Sequence, residues 1–210
     1  MSIPGEPAMH HTILAVDVAR FSAPERSNQH RLVVRSALYE ALEEALAASG
    51  VRWRACHRTD LGDGVLILAP ATCPKAVLGG LVPGALASRL SVHNSTHEPP
   101  ERIRLRLAIH AGEVTRDAHG VTGSAIVHAF RLLDSAAVKD ALASSEGDLA
   151  VITSNWFYEE VIRHSPLTDP RSYRPVVATV KETTAPAWIH LPTPERPLAT
   201  ATGGAGRELG

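Results

Sequence analysis

The stretch Asp60-Leu61-Gly62-Asp63-Gly64, with the apolar run Val65-Leu66-Ile67-Leu68 behind it, constrains this chain more than any other. Gly-Asp-Gly between two extended segments reads as a hairpin turn, because Gly62 and Gly64 take positive φ at little steric cost. Upstream, Val51 to Cys56 alternates apolar and polar residues, the pattern of a half-buried strand. Downstream, four consecutive apolar residues predict a buried strand. By itself an Asp in such a turn is ordinary turn chemistry. Residues 12–18, Thr-Ile-Leu-Ala-Val-Asp-Val, add a short apolar strand with one carboxylate near its end. A charge there is costly unless it is paired or binds a metal. Two strands that deliver Asp17 and Asp63 to the same end of a sheet make a two-metal site for phosphate chemistry.

The chain has 210 residues, long enough for one domain with its own core. A net charge of −1 gives no reason to expect a nucleic-acid or membrane surface. Cys56 and Cys73 are too few for a disulfide framework. No apolar run reaches about 18 residues, and the polar, Pro-containing start has no signal-peptide pattern. A cytoplasmic protein is therefore expected, with residues 1–10 a flexible arm, 11–192 the domain and 193–210 a disordered tail rich in Thr, Pro, Gly and Ala.

Apolar residues at helical spacing predict a helix from about Glu25 to Ser49, ended by Gly50. A second helix is expected over 75–95, interrupted at Pro83-Gly84. The clearest strand is 102–110, where Ile103, Leu105, Leu107 and Ile109 face one way and Arg102, Arg104, Arg106, Ala108 and His110 the other; Glu113 to Thr115 continue it. Helices follow at 123–133 and 135–144, then a buried strand at 149–152 and a helix capped by Ser154. After a Pro-rich loop at 165–175, Val176–Val180 and Trp188–Leu191 read as a final strand pair. Hairpins mixed with helices predict an α+β fold, a mostly antiparallel sheet with helices packed on one face.

The order of these features resembles the class III nucleotide (adenylate/guanylate) cyclase catalytic domain, and in particular its bacterial members. The resemblance rests on the strand with Asp17, the Gly-Asp-Gly hairpin, Ile109-His110-Ala111-Gly112-Glu113-Val114, and Gly123-x-x-Ile126-x-x-Ala129-x-Arg131-Leu132. It covers roughly residues 11–192. It implies a ferredoxin-like palm and a head-to-tail homodimer with the active site shared between chains. It also implies a nucleoside triphosphate substrate and two Mg²⁺ or Mn²⁺ ions. The family's metal carboxylates fall on Asp17 and Asp63, and its transition-state Arg on Arg131. The backbone of Val18, Ala19, Arg20 and Phe21 would hold the triphosphate. With no sensor or effector domain in view, a separate regulatory or effector protein is implied.

The departures from the family pattern bear on function. The two base-selecting positions fall on Thr59 and Gly120, neither of which matches a known purine code. The family's ribose-contacting Asn falls on Val127, beside His128. Asp60 lies next to the base-selecting position and is a candidate for reading a base amino group. The triphosphate-binding Lys of the C-terminal hairpin falls on Lys181. Two readings stand: a slow nucleotidyl cyclase, or a catalytically silent cyclase-homology domain acting by nucleotide binding, dimerisation or partner docking. Other residues carry less. His93 and His97 sit at i, i+4 without a third ligand beside them. His10-His11 reads as arm sequence, His110 as a strand residue, Glu159 and Glu160 as a solvated helix face, and Trp156, Phe157 and Trp188 as packing residues.

Overall fold

Strand β1 (Met9–Val18) carries the run Ile13 to Val16, four consecutive side chains with no exposure. In a strand successive side chains point to opposite faces, so such a run needs cover on both sides. The computed structural model, which describes residues 7–194, provides it. β1 lies between β3 (Gly64–Pro70) and β4 (Leu105–Asp117), antiparallel to both. With β2 (His57–Asp60), β5 (Gly120–Thr122), β6 (Leu149–Ser154), β7 (Tyr173–Val180) and β8 (Thr183–His190) they make an eight-stranded sheet. Its order is β2-β3-β1-β4-β6-β8-β7, with β5 a short partner of β4. The pairings are antiparallel except β4 with β6. This is the expected α+β palm.

Helices cover both faces of the sheet, not one. On the first face α1 (Asn28–Ala48) and α2 (Lys75–Thr96) pack on Leu14, Val16, Ile67, Leu107 and Ile109. On the second, α3 (Ser124–Asp134) and α4 (Ala136–Ala143) pack on Ile13, Ala15, Leu66, Leu68, Ala108 and Ile152. Helix α1 starts at a capping box in which Ser27 Oγ accepts from the His30 N–H (3.3 Å) and His30 Nδ1 accepts from the Ser27 N–H (3.2 Å). A short helix, α5 (Asn155–Phe157), continues as a π turn over Tyr158–Ile162 and is capped by Ser154 as expected.

Three local expectations are corrected. Residues 51–56 are not a strand: Trp53–Ala55 is a 3₁₀ turn, and Val51 and Cys56 are its buried anchors. β4 begins at Leu105, because Ile103 is tied on both backbone groups to the side chain of Asn94. Helix α2 runs unbroken through Pro83. Proline removes the hydrogen bond to the carbonyl four residues back, here Gly79, and the buried Tyr173 hydroxyl donates to that carbonyl instead at 3.2 Å. Of the expected arm, residues 9 and 10 belong to β1, and residues 1–6 lie outside the described residues, as do 195–210 of the expected tail. Phe157 is core and Trp188 stacks on Tyr158 at 3.6 Å, whereas Trp156 is exposed. No helix among the described residues is long and apolar enough to cross a membrane.

Gly64 pairs with Asp17 at the end of the β1–β3 ladder. A Cβ on Gly64 would stand 2.1 Å from the Val16 carbonyl oxygen, a backbone atom that cannot turn away. Gly64→Ala is therefore expected to cost about 3 kcal/mol. Thermal unfolding should show it as a drop of about 6–12 °C.

Candidate active site

Sheet register places Asp17 and Asp63 together. Asp17 faces Gly64 on β3, and the Val18 N–H donates to the Asp63 carbonyl at 2.9 Å, so the turn carrying Asp63 is stitched to the end of β1. Asp17 shares a sheet face with Ala15 and lies under the α3–α4 side, where it is largely buried. On β4, Arg106 stands directly opposite. Its guanidinium forks onto the carboxylate, Nε to Oδ1 at 2.8 Å and Nη2 to Oδ2 at 2.5 Å. Burial pushes the Asp17 carboxyl up; Arg106 opposes that shift, and Asp63 and Asp134 add to it. Two further carboxylates thus act on Asp17 at this end of the sheet, and the Arg106 guanidinium serves as its cation.

The turn after Asp17 has its own geometry. Val18 and Ala19, two of the four residues expected to hold a triphosphate through their amides, already donate within the chain, to Asp63 and to the Arg104 carbonyl (2.8 Å). Arg20 adopts φ of +57°, which turns the chain away from the sheet, and the Ala23 N–H closes back on the Arg20 carbonyl at 3.0 Å. A left-handed residue within a tight turn is the conformation in which successive amides form a concave anion nest.

Asp60, the candidate for reading a base amino group, is engaged within its own chain. Arg35 of α1 forks onto its carboxylate, the Tyr39 hydroxyl donates to it at 2.9 Å, and the Gly62 N–H does so at 2.6 Å. These donors hold its pKa well below the usual carboxylate range. Asp60 fastens the hairpin to α1. Thr59, on the face shared with Asp17, bonds His57 at 3.2 Å. Gly120 lies beyond the other end of β4 from Arg106, in a turn held by the Asp117 carboxylate.

Helix α3 carries Val127 and Arg131. Val127 is 55 % exposed. Arg131 donates to Glu182 at 2.7 Å, in the same β7–β8 turn that holds Lys181 at φ of +50°. In its own chain, then, Arg131 is paired with Glu182, not with Asp17 or Asp63. His128 packs edge-on against His110 at 4.8 Å. His110 bonds Ser154 Oγ at 2.8 Å and faces His10, His128 and the Trp156 ring. His93 and His97 stack at 3.8 Å and bond backbone carbonyls, a structural use.

Burial, with help from His128 and His10, lowers the His110 pKa from 6.5 to about 4. An unfolded chain gains a proton on this ring below pH 6.5 that the folded chain refuses. Stability should be complete above pH 6.5 and fall by about 1–2 kcal/mol as pH drops towards 4, once partial exposure is allowed for. Melting temperature followed against pH should show this slope flattened in His110→Gln.

Among the described residues no group of three or more His, Cys, Asp or Glu side chains is arranged to hold a metal ion. The donors that are present nevertheless suit Mg²⁺ or Mn²⁺: hard carboxylate oxygens on Asp17 and Asp63, at a point where a cation, Arg106, already sits. Sequence reading missed Arg106, Asp134 and the lysine Lys139 that pairs with Asp134 at 3.6 Å.

No family model matches the chain, and no curated protein matches it in sequence. Solved structures do. An adenylate/guanylate cyclase/hydrolase from Silicibacter pomeroyi superposes with a TM-score of 0.62 at 22% identity, over 90% of this chain and 99% of that one. The guanylyl cyclase Cya2 follows at 0.61 and 15% identity, over 89% and 92%. The catalytic core of a rhodopsin-guanylyl cyclase with converted specificity, in complex with ATPalphaS, gives 0.60 and 15% identity, over 88% and 96%. The fold is that of nucleotide cyclase catalytic domains.

Proposed function

We propose that this protein is a metal-dependent nucleotidyl cyclase, converting a nucleoside triphosphate into a 3′,5′-cyclic nucleotide and pyrophosphate in a homodimer with shared sites. The observation that carries the reading is the stitched pair Asp17–Asp63 at one end of a cyclase-type sheet. These two carboxylates would hold Mg²⁺ or Mn²⁺, which when bound lowers the pKa of the attacking 3′-hydroxyl and neutralises the departing phosphates. The turn Val18 to Phe21 would orient the triphosphate, with the amides of Arg20 and Phe21 as its donors. Arg131 of one chain would leave Glu182 and meet the charge growing on the α-phosphate held by the other. Lys181, in the turn beside Glu182, would steady the phosphates. Thr59 and Gly120 line the places where a base would be read and favour no purine by charge.

A second reading has its own observation. Arg106 already satisfies both oxygens of Asp17, as in a domain that binds nucleotide without turning it over. Incubation with each of the four nucleoside triphosphates plus Mn²⁺ or Mg²⁺, with mass detection, separates the two. A cyclic product supports the enzyme; no product from any of them supports the silent domain.

At Val127 an exposed apolar side chain stands where the resemblance calls for a hydrogen bond to the ribose. A hydrogen bond beside a charged transition state is worth about 1.5–3 kcal/mol, or about 10- to 100-fold in rate. Val127→Asn should raise kcat by that factor with little change in KM. A rate that falls in His128→Ala while Val127→Asn does nothing would mean that the neighbouring imidazole supplies the contact.

A further inference from the structure

The turn that carries Asp63 has little apolar packing to hold it. Leu61, Gly62 and Asp63 are all exposed, and a Cβ on Gly62 would meet nothing within 4 Å. Hydrogen bonds, not packing, therefore fix where the Asp63 carboxylate stands. Two of them belong to the hairpin and β1: the Leu61 N–H donates to the Gly64 carbonyl at 3.0 Å, and the Val18 N–H to the Asp63 carbonyl. The others converge on Gly62. At φ of +88° this residue occupies the region open chiefly to glycine, and a glycine unheld on both sides would let its neighbour swing. Gly62 is held on both. Its N–H donates to Asp60 Oδ1 at 2.6 Å, and its carbonyl accepts from Arg35 Nη1. Arg35 also spans both oxygens of Asp60, which closes a ring through helix, carboxylate and glycine. One helical turn on, Tyr39 donates to the same carboxylate and packs edge-on against Trp53 at 6.4 Å.

We propose that Arg35 is a positioning residue for Asp63: by gripping Asp60 and the Gly62 carbonyl together, it holds the glycine beside that carboxylate in one conformation, so that helix α1 presets a metal ligand. The metal rests on the cyclase reading; the grip on Gly62 does not. A carboxylate already in place loses less freedom when a cation arrives, so the grip is expressed as metal affinity. Charge alone predicts the reverse. Arg35 is itself a cation, and removing a cation from the neighbourhood strengthens the attraction of a carboxylate for a divalent ion. The sign of the change in affinity therefore separates positioning from simple electrostatics.

The full chain tests this with Mn²⁺ alone, read by electron paramagnetic resonance, and with hydrogen exchange at the Val18 amide, read by nuclear magnetic resonance. Arg35→Gln should exchange the Val18 proton about tenfold faster, because the carbonyl that accepts it moves with the loosened turn. The same variant should bind Mn²⁺ about fivefold more weakly than the wild type. Its melting temperature without ligand should fall by no more than about 2 °C, since the Arg35–Asp60 pair is partly exposed. Arg35→Lys, which has no fork to serve Asp60 and Gly62 at once, should lie between the wild type and Arg35→Gln in both measurements. Tyr39→Phe leaves the Gly62 carbonyl bonded and should change Mn²⁺ affinity by less than about twofold. Unchanged Val18 exchange in Arg35→Gln, or Mn²⁺ held by that variant as tightly as by a wild type that binds it, or more tightly, would overturn the proposal. Faster exchange in Arg35→Gln beside a wild type that holds no Mn²⁺ would sink the metal site of the cyclase reading and leave the grip on Asp63 standing.

Discussion

Replacing Asp17 and Asp63 together by Asn is expected to abolish the rise in melting temperature produced by Mn²⁺ and a nucleoside triphosphate together. Ligands that bind only the folded chain stabilise it by mass action, about 2.7 kcal/mol at a hundredfold excess over Kd. For a domain of this size that is a rise of about 5–10 °C. Asparagine keeps the shape of aspartate and one acceptor for Arg106, so the apo variant should still fold, at a lower melting temperature because Arg106 loses its counter-charge. The decisive quantity is therefore the increment on adding ligand. An increment that survives in the double variant would remove both residues from the metal site.

The second large effect concerns where one site draws its residues. Arg131 is tied to Glu182 in its own chain while Asp17 is tied to Arg106. Under the shared-site reading, Asp63→Ala and Arg131→Ala are each inactive alone, by about 10³-fold or more. Mixed in equal amounts with free exchange of subunits, half the dimers are hybrids and each hybrid carries one intact site. About a quarter of wild-type activity should return. A mixture that stays inactive after exchange has been demonstrated would place all the catalytic groups within one chain.

The parts of the fold legible in the sequence are those fixed by local pattern. The apolar run before Asp17, the Gly-Asp-Gly turn and the alternation along 105–109 each report a strand whatever surrounds them. What stayed hidden depends on pairing across the chain. Arg106 sits in a row of arginines that reads as a solvated strand face, and only the register with β1 sets it opposite Asp17. Asp60 looks free for a ligand until α1 brings Arg35 and Tyr39 over it. Pro83 reads as a break because its remedy, the Tyr173 hydroxyl, lies far away in sequence. Val51 to Cys56 imitates a strand because buried residues on either side of a 3₁₀ turn leave a pattern close to alternation. The carboxylate pair was legible; its present counter-ion was not.

The central position of β1 has a kinetic consequence. Its Ile13 pairs with Leu68 on one side and with His110 on the other, so β1 finds its second neighbour only when the chain as far as His110 has followed it. Closing such distant pairs costs loop entropy before any contact rewards it. Refolding should accordingly fall in the millisecond-to-second range of sheet-dominated domains rather than among fast helical bundles. Until β4 arrives, Ile13 to Val16 offer an uncovered, sticky edge, and the nascent protein passes through a window in which self-association competes with folding.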